Sequence, residues 1–316
     1  MRMQWIALVL LWVLILSAVS AVVLLRPNLL SPPKFGLFYY VWYGHLADDW
    51  EPPKFVDYPV FGNYSSSDPD VIKQQLTSME DAGIDFAVIS WWGFYDDYGK
   101  YVDNATKQIF ETAQAMSSTL KFAVMVEPFN DTGRSYDYRA IYNYIWNNYA
   151  APYSSLYYNM SGKPVICFFN DGNLTRGNGN IPRDAKFKVV IVGQQSYTQW
   201  IYTDLNNYDF PANGPINQTS VTPRYDESHL SERPGNVTVD IYLNESIYDK
   251  EWGNAIQLWQ EGKIDTIIIS SWNEYPERTA IEPHYDGTSV IKDPFYLFNK
   301  TKSYTNDIKE QAAKGP

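Results

Sequence analysis

The chain of 316 residues has one cysteine, Cys167, so it cannot form an intrachain disulfide. Cys167 lies in the apolar run Val165-Ile166-Cys167-Phe168-Phe169, which predicts an inert buried thiol. Histidine is scarce too. His45, His229 and His284 are far apart, and no HExxH or CxxC spacing accompanies them. No metal site is expected, and no cofactor. There is no GxGxxG and no GxxxxGK[ST], the loops that cradle nucleotide phosphates. Positive charge is in deficit, with a formal net charge of −11. An acidic surface repels phosphate backbones, so a nucleic-acid partner is disfavoured.

Aromatic residues, by contrast, are plentiful, with 26 tyrosines and 11 tryptophans. Packing is the plain explanation. Sugar binding is the sharper one, because pyranose faces stack on such rings while hydroxyls meet their polar edges.

Long uncharged runs are also rare; the one that stands out is Trp5 to Leu25. A bilayer core needs about 20 apolar residues in a helix. Residues 1–26 therefore read as a signal anchor or transmembrane helix. The competing reading is a signal peptide cleaved near Ala18-Val19-Ser20, which would give a secreted protein. Residues 27–34, with Pro27, Pro32 and Pro33, read as a stiff linker. Nine of the 22 asparagines begin Asn-x-Ser/Thr: Asn63, Asn104, Asn130, Asn159, Asn173, Asn217, Asn236, Asn244 and Asn299. That density predicts N-glycans on an external domain, held at the cell membrane by a single pass through residues 5–25.

From residue 35 onward, buried-strand patterns alternate with amphipathic ones. Strands are expected at Phe35 to Tyr43, Asp85 to Trp92, Lys121 to Val126, Lys163 to Phe169, Lys186 to Val192 and Asp265 to Ser270. Helices are expected at 68–82, 101–116, 136–149 and 246–261. Continuous Val/Ile/Phe runs belong to a parallel sheet covered on both faces. Phe210 to Asn213 and part of Ser220 to Tyr225 offer two more strands, and eight would close a (β/α)8 TIM-type barrel over residues 35–300. An open doubly wound sheet is the rival. Residues 301–316 read as a polar tail.

The expected strand ends carry Tyr39-Tyr40-Val41-Trp42-Tyr43-Gly44, Ser90-Trp91-Trp92-Gly93, Glu127-Pro128-Phe129, Asn170-Asp171, and Trp272-Asn273-Glu274-Tyr275-Pro276-Glu277. Barrel closure would gather them at the C-terminal rim, where catalytic groups collect. Two glutamates three residues apart after a buried strand suit glycoside cleavage, in which one carboxyl is an acid while another is charged. Each has a plainer reading: Glu127 as a solvated loop residue, Glu274 and Glu277 as ion-pair partners of Arg278 or Lys34. One of Trp91 and Trp92 should be core, the other cleft. Glu282-Pro283-His284 either adds a rim ligand or ends the loop.

In order, these motifs resemble family 99 of the glycoside hydrolases, the endo-α-1,2-mannosidase and mannanase family, and its family-99-like relatives. The matching segments are Tyr39 to Gly44, Ser90 to Gly93, Glu127 to Phe129, Gly162-Lys163-Pro164 and Asn273 to Pro283. They span about residues 35 to 285, with a blank from 194 to 245. The resemblance implies a metal-free barrel that cleaves α-mannosidic bonds inside a glycan with retention. Glu274 would be the base on the sugar 2-hydroxyl, which attacks the anomeric carbon to give an anhydro sugar. Glu277 would protonate the leaving oxygen and then activate water. Glu127 would line the same subsite, with Asn273 beside Glu274. Tyr40, Trp42, Tyr43, Trp91, Trp92, Trp272, Tyr275 and Glu282 complete the expected saccharide-binding set. The chain departs from the family at Val41, at Tyr275-Pro276 between the glutamates, and at Arg278-Thr279-Ala280. Arg278 beside Glu277 would favour the charged form of that carboxyl. The alternative function is a barrel that binds carbohydrate, or serves as a cell-surface structural protein, without catalysis.

Overall fold

The computed structural model describes residues 30–46, 49–51, 54–128, 137–170, 181–196, 199–204, 218–230, 238–239 and 247–314. Among the described residues eight strands follow one another around a curled sheet, with the short strand Asn159–Met160 paired to one of them, β4: β1 (Lys34–Tyr39), β2 (Phe86–Trp91), β3 (Lys121–Val126), β4 (Lys163–Asn170), β5 (Lys188–Ser196), β6 (Gln199–Asp204), β7 (Gln218–Val221) and β8 (Thr266–Ile269). Their spatial order is β6-β5-β4-β3-β2-β1-β8-β7. Cα atoms of the two edge strands, β6 and β7, lie within 8 Å of each other. The sheet thus wraps into a TIM-like barrel.

The strands bury two faces because successive side chains alternate. Phe35, Leu37 and Tyr39 of β1, Ala87, Ile89 and Trp91 of β2, and Ile267 and Ile269 of β8 face the outer layer. Phe38, Phe86, Val88, Cys167 and Ile268 fill the barrel interior. Burial pushes the Cys167 thiol up to about 12, which keeps it protonated and inert. Gly36 marks a close approach inside the barrel. A Cβ there would sit 2.3 Å from the Phe86 ring. Gly36→Ala is therefore expected to cost about 1–3 kcal/mol by overpacking, read by urea unfolding. An unchanged midpoint would show that the ring can move aside.

The helices are α1 (Pro69–Asp81), α2 (Asp97–Ala115), α3 (Tyr138–Ile145, continued by a π-helical turn at Trp146–Ala150), α4 (Ile247–Gln260) and α5 (Tyr296–Lys314). Helix α1 starts as expected, with Asp68 accepting from the Asp70 amide and proline in the first turn. Helix α2 starts earlier than expected because Asp96 caps it, accepting from the Gly99 amide at 2.7 Å.

Two expectations need correction. Strand β5 runs on to Ser196, and β6 pairs with it antiparallel. A two-residue connection permits only a hairpin, whereas a parallel return needs a crossover. The barrel therefore departs from strict β/α alternation here. The proposed strand at Phe210 to Asn213 lies outside the described residues. Residues 301–314 are no tail: α5 buries Leu297, Phe298, Thr301, Thr305, Ile308 and Ala312. Among the described residues, no helix is long and apolar enough to cross a membrane. The expected anchor, residues 5–25, lies outside them.

Candidate active site

The C-terminal ends of the strands open onto one cleft of about 340 Å³. Its walls include Tyr40 and Trp42 after β1, Trp92 after β2, Glu127 and Pro128 after β3, Phe169 in β4, and Glu274, Pro276 and Glu277 after β8. Tyr40 and Trp42 pack at 4.7 Å between ring centroids, and Trp42 meets Trp92 edge-on at 6.3 Å. Three glutamates thus share one cavity with an aromatic wall.

The loop after β8 is closed by its own hydrogen bonds. The Glu274 amide donates to Ser271 Oγ at 2.8 Å, and the Thr279 amide donates to the Glu274 carbonyl at 3.1 Å. Tyr275 to Arg278 form a β-turn in which the Arg278 amide donates to the Tyr275 carbonyl at 3.0 Å. Pro276 takes the second position of that turn, which its fixed φ favours. The proline between the glutamates therefore shapes the turn that presents Glu277. Arg278 follows at φ +56°, a left-handed conformation that is costly for a residue with a side chain.

Buried charges hold that conformation. Arg278 is 1% exposed; its Nη1 donates to Asp226 at 2.7 Å, its Nη2 to Asp286 at 2.8 Å, and its Nε to Asp57 at 3.1 Å. Arg224, equally buried, binds Asp57 through Nη2 and donates from Nε to the Arg278 carbonyl at 2.8 Å. The Asp226 amide donates to the Glu277 carbonyl at 3.0 Å. Burial works against the Arg278 charge, yet Asp57, Asp226 and Asp286 raise its pKa above the ordinary value. Asp286 is driven down to about 2: burial opposes its charge, but hydrogen bonds from Thr288 and Ile291 and the nearby Arg224 prevail. The Arg278 guanidinium thus turns to three aspartates. Sequence reasoning missed this cluster, whose members are scattered over positions 57, 224, 226, 278 and 286.

Six expected contact residues do not line the cleft. Trp91 follows Ala87 and Ile89 into the outer layer, where its indole donates to Asp103 at 2.8 Å. Trp272 is fully buried and packs edge-on with Phe298. Asn273 links the terminal loop to β1: its Nδ2 donates to the Tyr40 carbonyl at 2.8 Å, and its Oδ1 accepts from the Tyr40 amide at 2.9 Å. Tyr43 is buried and donates to the Asn273 carbonyl at 2.5 Å. Tyr275 is buried beneath the turn, donating to Glu282 at 2.8 Å. Glu282, fully buried, also accepts from Tyr64 at 2.9 Å and Gln75 at 2.7 Å. Burial pushes its carboxyl up to about 7 despite those donors. These residues hold the cleft wall from behind.

The cleft also contains residues that sequence reasoning missed: Leu46, Asp49, Lys54, Tyr98 and Leu230. Tyr98 lies in the first turn of α2, and the Asp96 cap that starts α2 early was the available signal.

Glu127 is 6% exposed and accepts from Ser90 Oγ at 2.7 Å. Burial lifts its carboxyl to about 8, with the charge of Glu277 adding to the lift and the Ser90 hydrogen bond opposing it. Its stabilising contribution is therefore fully present below 4.5, the value of the free side chain, and is lost as pH rises through about 8. Glu127→Gln, which mimics the protonated form, is expected to flatten stability against pH across that window. Urea unfolding at several pH values checks this; an unchanged slope would place the proton elsewhere.

The model of glycosyl hydrolase family 99 matches residues 45–178, which carry Trp92 and Glu127. The chain resembles glycosyl hydrolase family 99. It is 24% identical to the glycoprotein endo-alpha-1,2-mannosidase-like proteins of mouse and human. Those alignments cover 78% of this chain and 68% and 67% of the two relatives. In structure, the family-99-like chain is similar to the GH99 endo-alpha-mannosidase of Bacteroides thetaiotaomicron, solved in complex with bis-tris-propane. The TM-score is 0.64 at 22% identity, over 90% of this chain and 99% of that one. At that identity the likeness bears on the fold, and it covers more of the chain than the family model matches.

Proposed function

We propose that the chain is a glycoside hydrolase that cleaves α-linked mannose-type glycans internally and with retention. One observation carries this reading: Glu127, Glu274 and Glu277 line a single cleft walled by Tyr40, Trp42, Trp92 and Tyr98. In the proposed reaction a glycan lies along the aromatic wall. Glu274 takes the proton of a sugar 2-hydroxyl, whose oxygen attacks the anomeric carbon from within the same ring. Glu277 gives its proton to the departing glycosidic oxygen. An anhydro sugar results. Glu277, now charged, takes a proton from water, which opens the anhydro ring and restores the starting configuration, while Glu274 returns its proton.

A panel of defined α-linked manno-oligosaccharides, glucose-capped N-glycans and yeast mannan tests the reading. Release of shorter glycans from at least one substrate is expected. Binding without release from any of them would favour the carbohydrate-binding alternative.

Glu127 offers a second proton donor, because it holds its own proton to about pH 8. If it only lines the cleft, Glu127→Gln keeps turnover within about threefold of wild type. A fall of about 100-fold would assign the acid role to Glu127.

We also propose that residues 5–25 anchor the protein in the cell membrane with the barrel outside. The uncharged run and the nine sequons support this, and Asn63, Asn104, Asn159 and Asn299 are exposed. Membrane fractionation and deglycosylation of the natural protein test it. A soluble protein without glycans would overturn it.

A further inference from the structure

The turn before α1 joins two features that the proposed chemistry leaves unused, an exposed aromatic ring and the asparagine of a sequon. Phe61 is 39% exposed, and Asn63 of Asn63-Tyr64-Ser65 is exposed two residues later. The chain is held on both sides of this pair. Before it, Tyr58–Pro59 pair antiparallel with His284–Tyr285, and the Gly62 amide donates to the Pro59 carbonyl at 2.9 Å. After it, Tyr64 is buried, its hydroxyl donating to Glu282 at 2.9 Å and its carbonyl accepting from the Trp50 indole at 2.9 Å. Between them Gly62 sits at φ +79°, and beyond its chain neighbours no atom comes within 4 Å of where a Cβ would stand. The turn therefore presents a ring and an amide on a fixed backbone with open space between them.

Four of the nine sequons fall among the described residues, and the other three lack this arrangement. Two residues before Asn104, Asn159 and Asn299 stand Val102, Tyr157 and Leu297, all buried. The Asn159 amide is also occupied, its Nδ2 donating to the Tyr157 carbonyl at 2.8 Å.

We infer that Asn63 carries an N-glycan whose first sugar stacks on the Phe61 ring. A pyranose has an apolar face of C–H groups, which fits the electron-rich face of a phenyl ring. Free sugar would hold such a single contact weakly. A sugar bonded to Asn63 is tethered beside the ring, so the contact forms within the molecule at high effective concentration. Because ring and attachment point are already fixed by their neighbours, little further ordering is needed. This inference rests on the proposed placement of the barrel outside the membrane. It adds that one glycan contributes to the stability of the fold.

The test uses the full chain, expressed in a host that attaches N-glycans beginning with N-acetylglucosamine. Glycopeptide mass spectrometry reads occupancy at each sequon, and Asn63 should be occupied. Urea unfolding then compares wild type, Asn63→Gln, Phe61→Ala and the double variant. Asn63→Gln should lower the folding equilibrium constant by about three- to tenfold, the size of an aromatic contact. Phe61→Ala should lower it as much, and the double variant no further. The same four proteins made in a host without N-glycosylation should show no coupling between the two positions. Nor should Asn104→Gln couple to Phe61→Ala in the glycosylated set. Additive losses in the glycosylated set overturn the stacking, as does equal coupling in both hosts. An unmodified Asn63 beside occupied sequons overturns it too, and all three results leave the external barrel standing. A chain with no glycan at any sequon overturns both.

Discussion

Glu277→Gln is expected to lower turnover of a susceptible glycan by at least about 100-fold, the lower end of general-acid effects. Glutamine has the shape of the protonated acid but cannot release a proton to the leaving oxygen. The turn that presents position 277 depends on Pro276, on the Arg278 amide and on the Asp226 amide, and none of these contacts uses the Glu277 side chain. The variant should therefore fold as wild type does and bind substrate with KM little changed, so the loss falls on kcat. Glu274→Gln should fall comparably, because an amide cannot take the 2-hydroxyl proton. Initial rates on the most rapidly cleaved glycan provide the measurement. Equal turnover by wild type and both variants would remove the assigned roles.

The second large effect concerns stability. Arg278→Ala is expected to destabilise the protein by about 3–5 kcal/mol, because it strands buried aspartates. Asp57 and Asp286 would keep their contacts with Arg224, and Asp226 would lose its 2.7 Å contact with Arg278. Backbone strain acts in the opposite direction. Position 278 sits at φ +56°, where glycine is free of the penalty of about 1–2 kcal/mol borne by other residues. Arg278→Gly should recover about that much relative to Arg278→Ala and still remain well below wild type. Urea unfolding of the three proteins separates the terms. Arg278→Gly equal to or above wild type would mean that the buried ion cluster contributes no net stability.

Much of the barrel could be read in the sequence because its strands are covered on both faces. Phe86–Trp91 is apolar but for Ser90, and Thr266–Ile269 but for its first residue, and a run of that kind signals a parallel strand without reference to its neighbours. The β5–β6 hairpin was not legible, because Gln194-Gln195-Ser196 is polar and reads as the end of a strand. Helix α5 was misread for a related reason: Thr301 and Thr305 face its core, and threonine dilutes the apolar stripe.

At the site, position along the strand predicted the carboxylates well. Glu127, Glu274 and Glu277 all reach the cleft, as do Tyr40, Trp42 and Trp92. Direction was harder. Strand alternation sends Trp91 outward and leaves Trp92 at the rim. Loop residues obey no such period, so Asn273, Tyr275 and Glu282 turned inward to satisfy buried partners. The two-arginine cluster was invisible because its five residues meet only after folding.

The most direct test of convergent carboxylates at one cleft is the anomeric configuration of the first product. Proton NMR during cleavage of an α-1,2-linked manno-oligosaccharide reads it before mutarotation. The α anomer should appear first, as attack by the ring's own 2-hydroxyl and then by water requires two inversions. The β anomer appearing first would mean a single displacement by water, and the paired roles of Glu274 and Glu277 would be wrong.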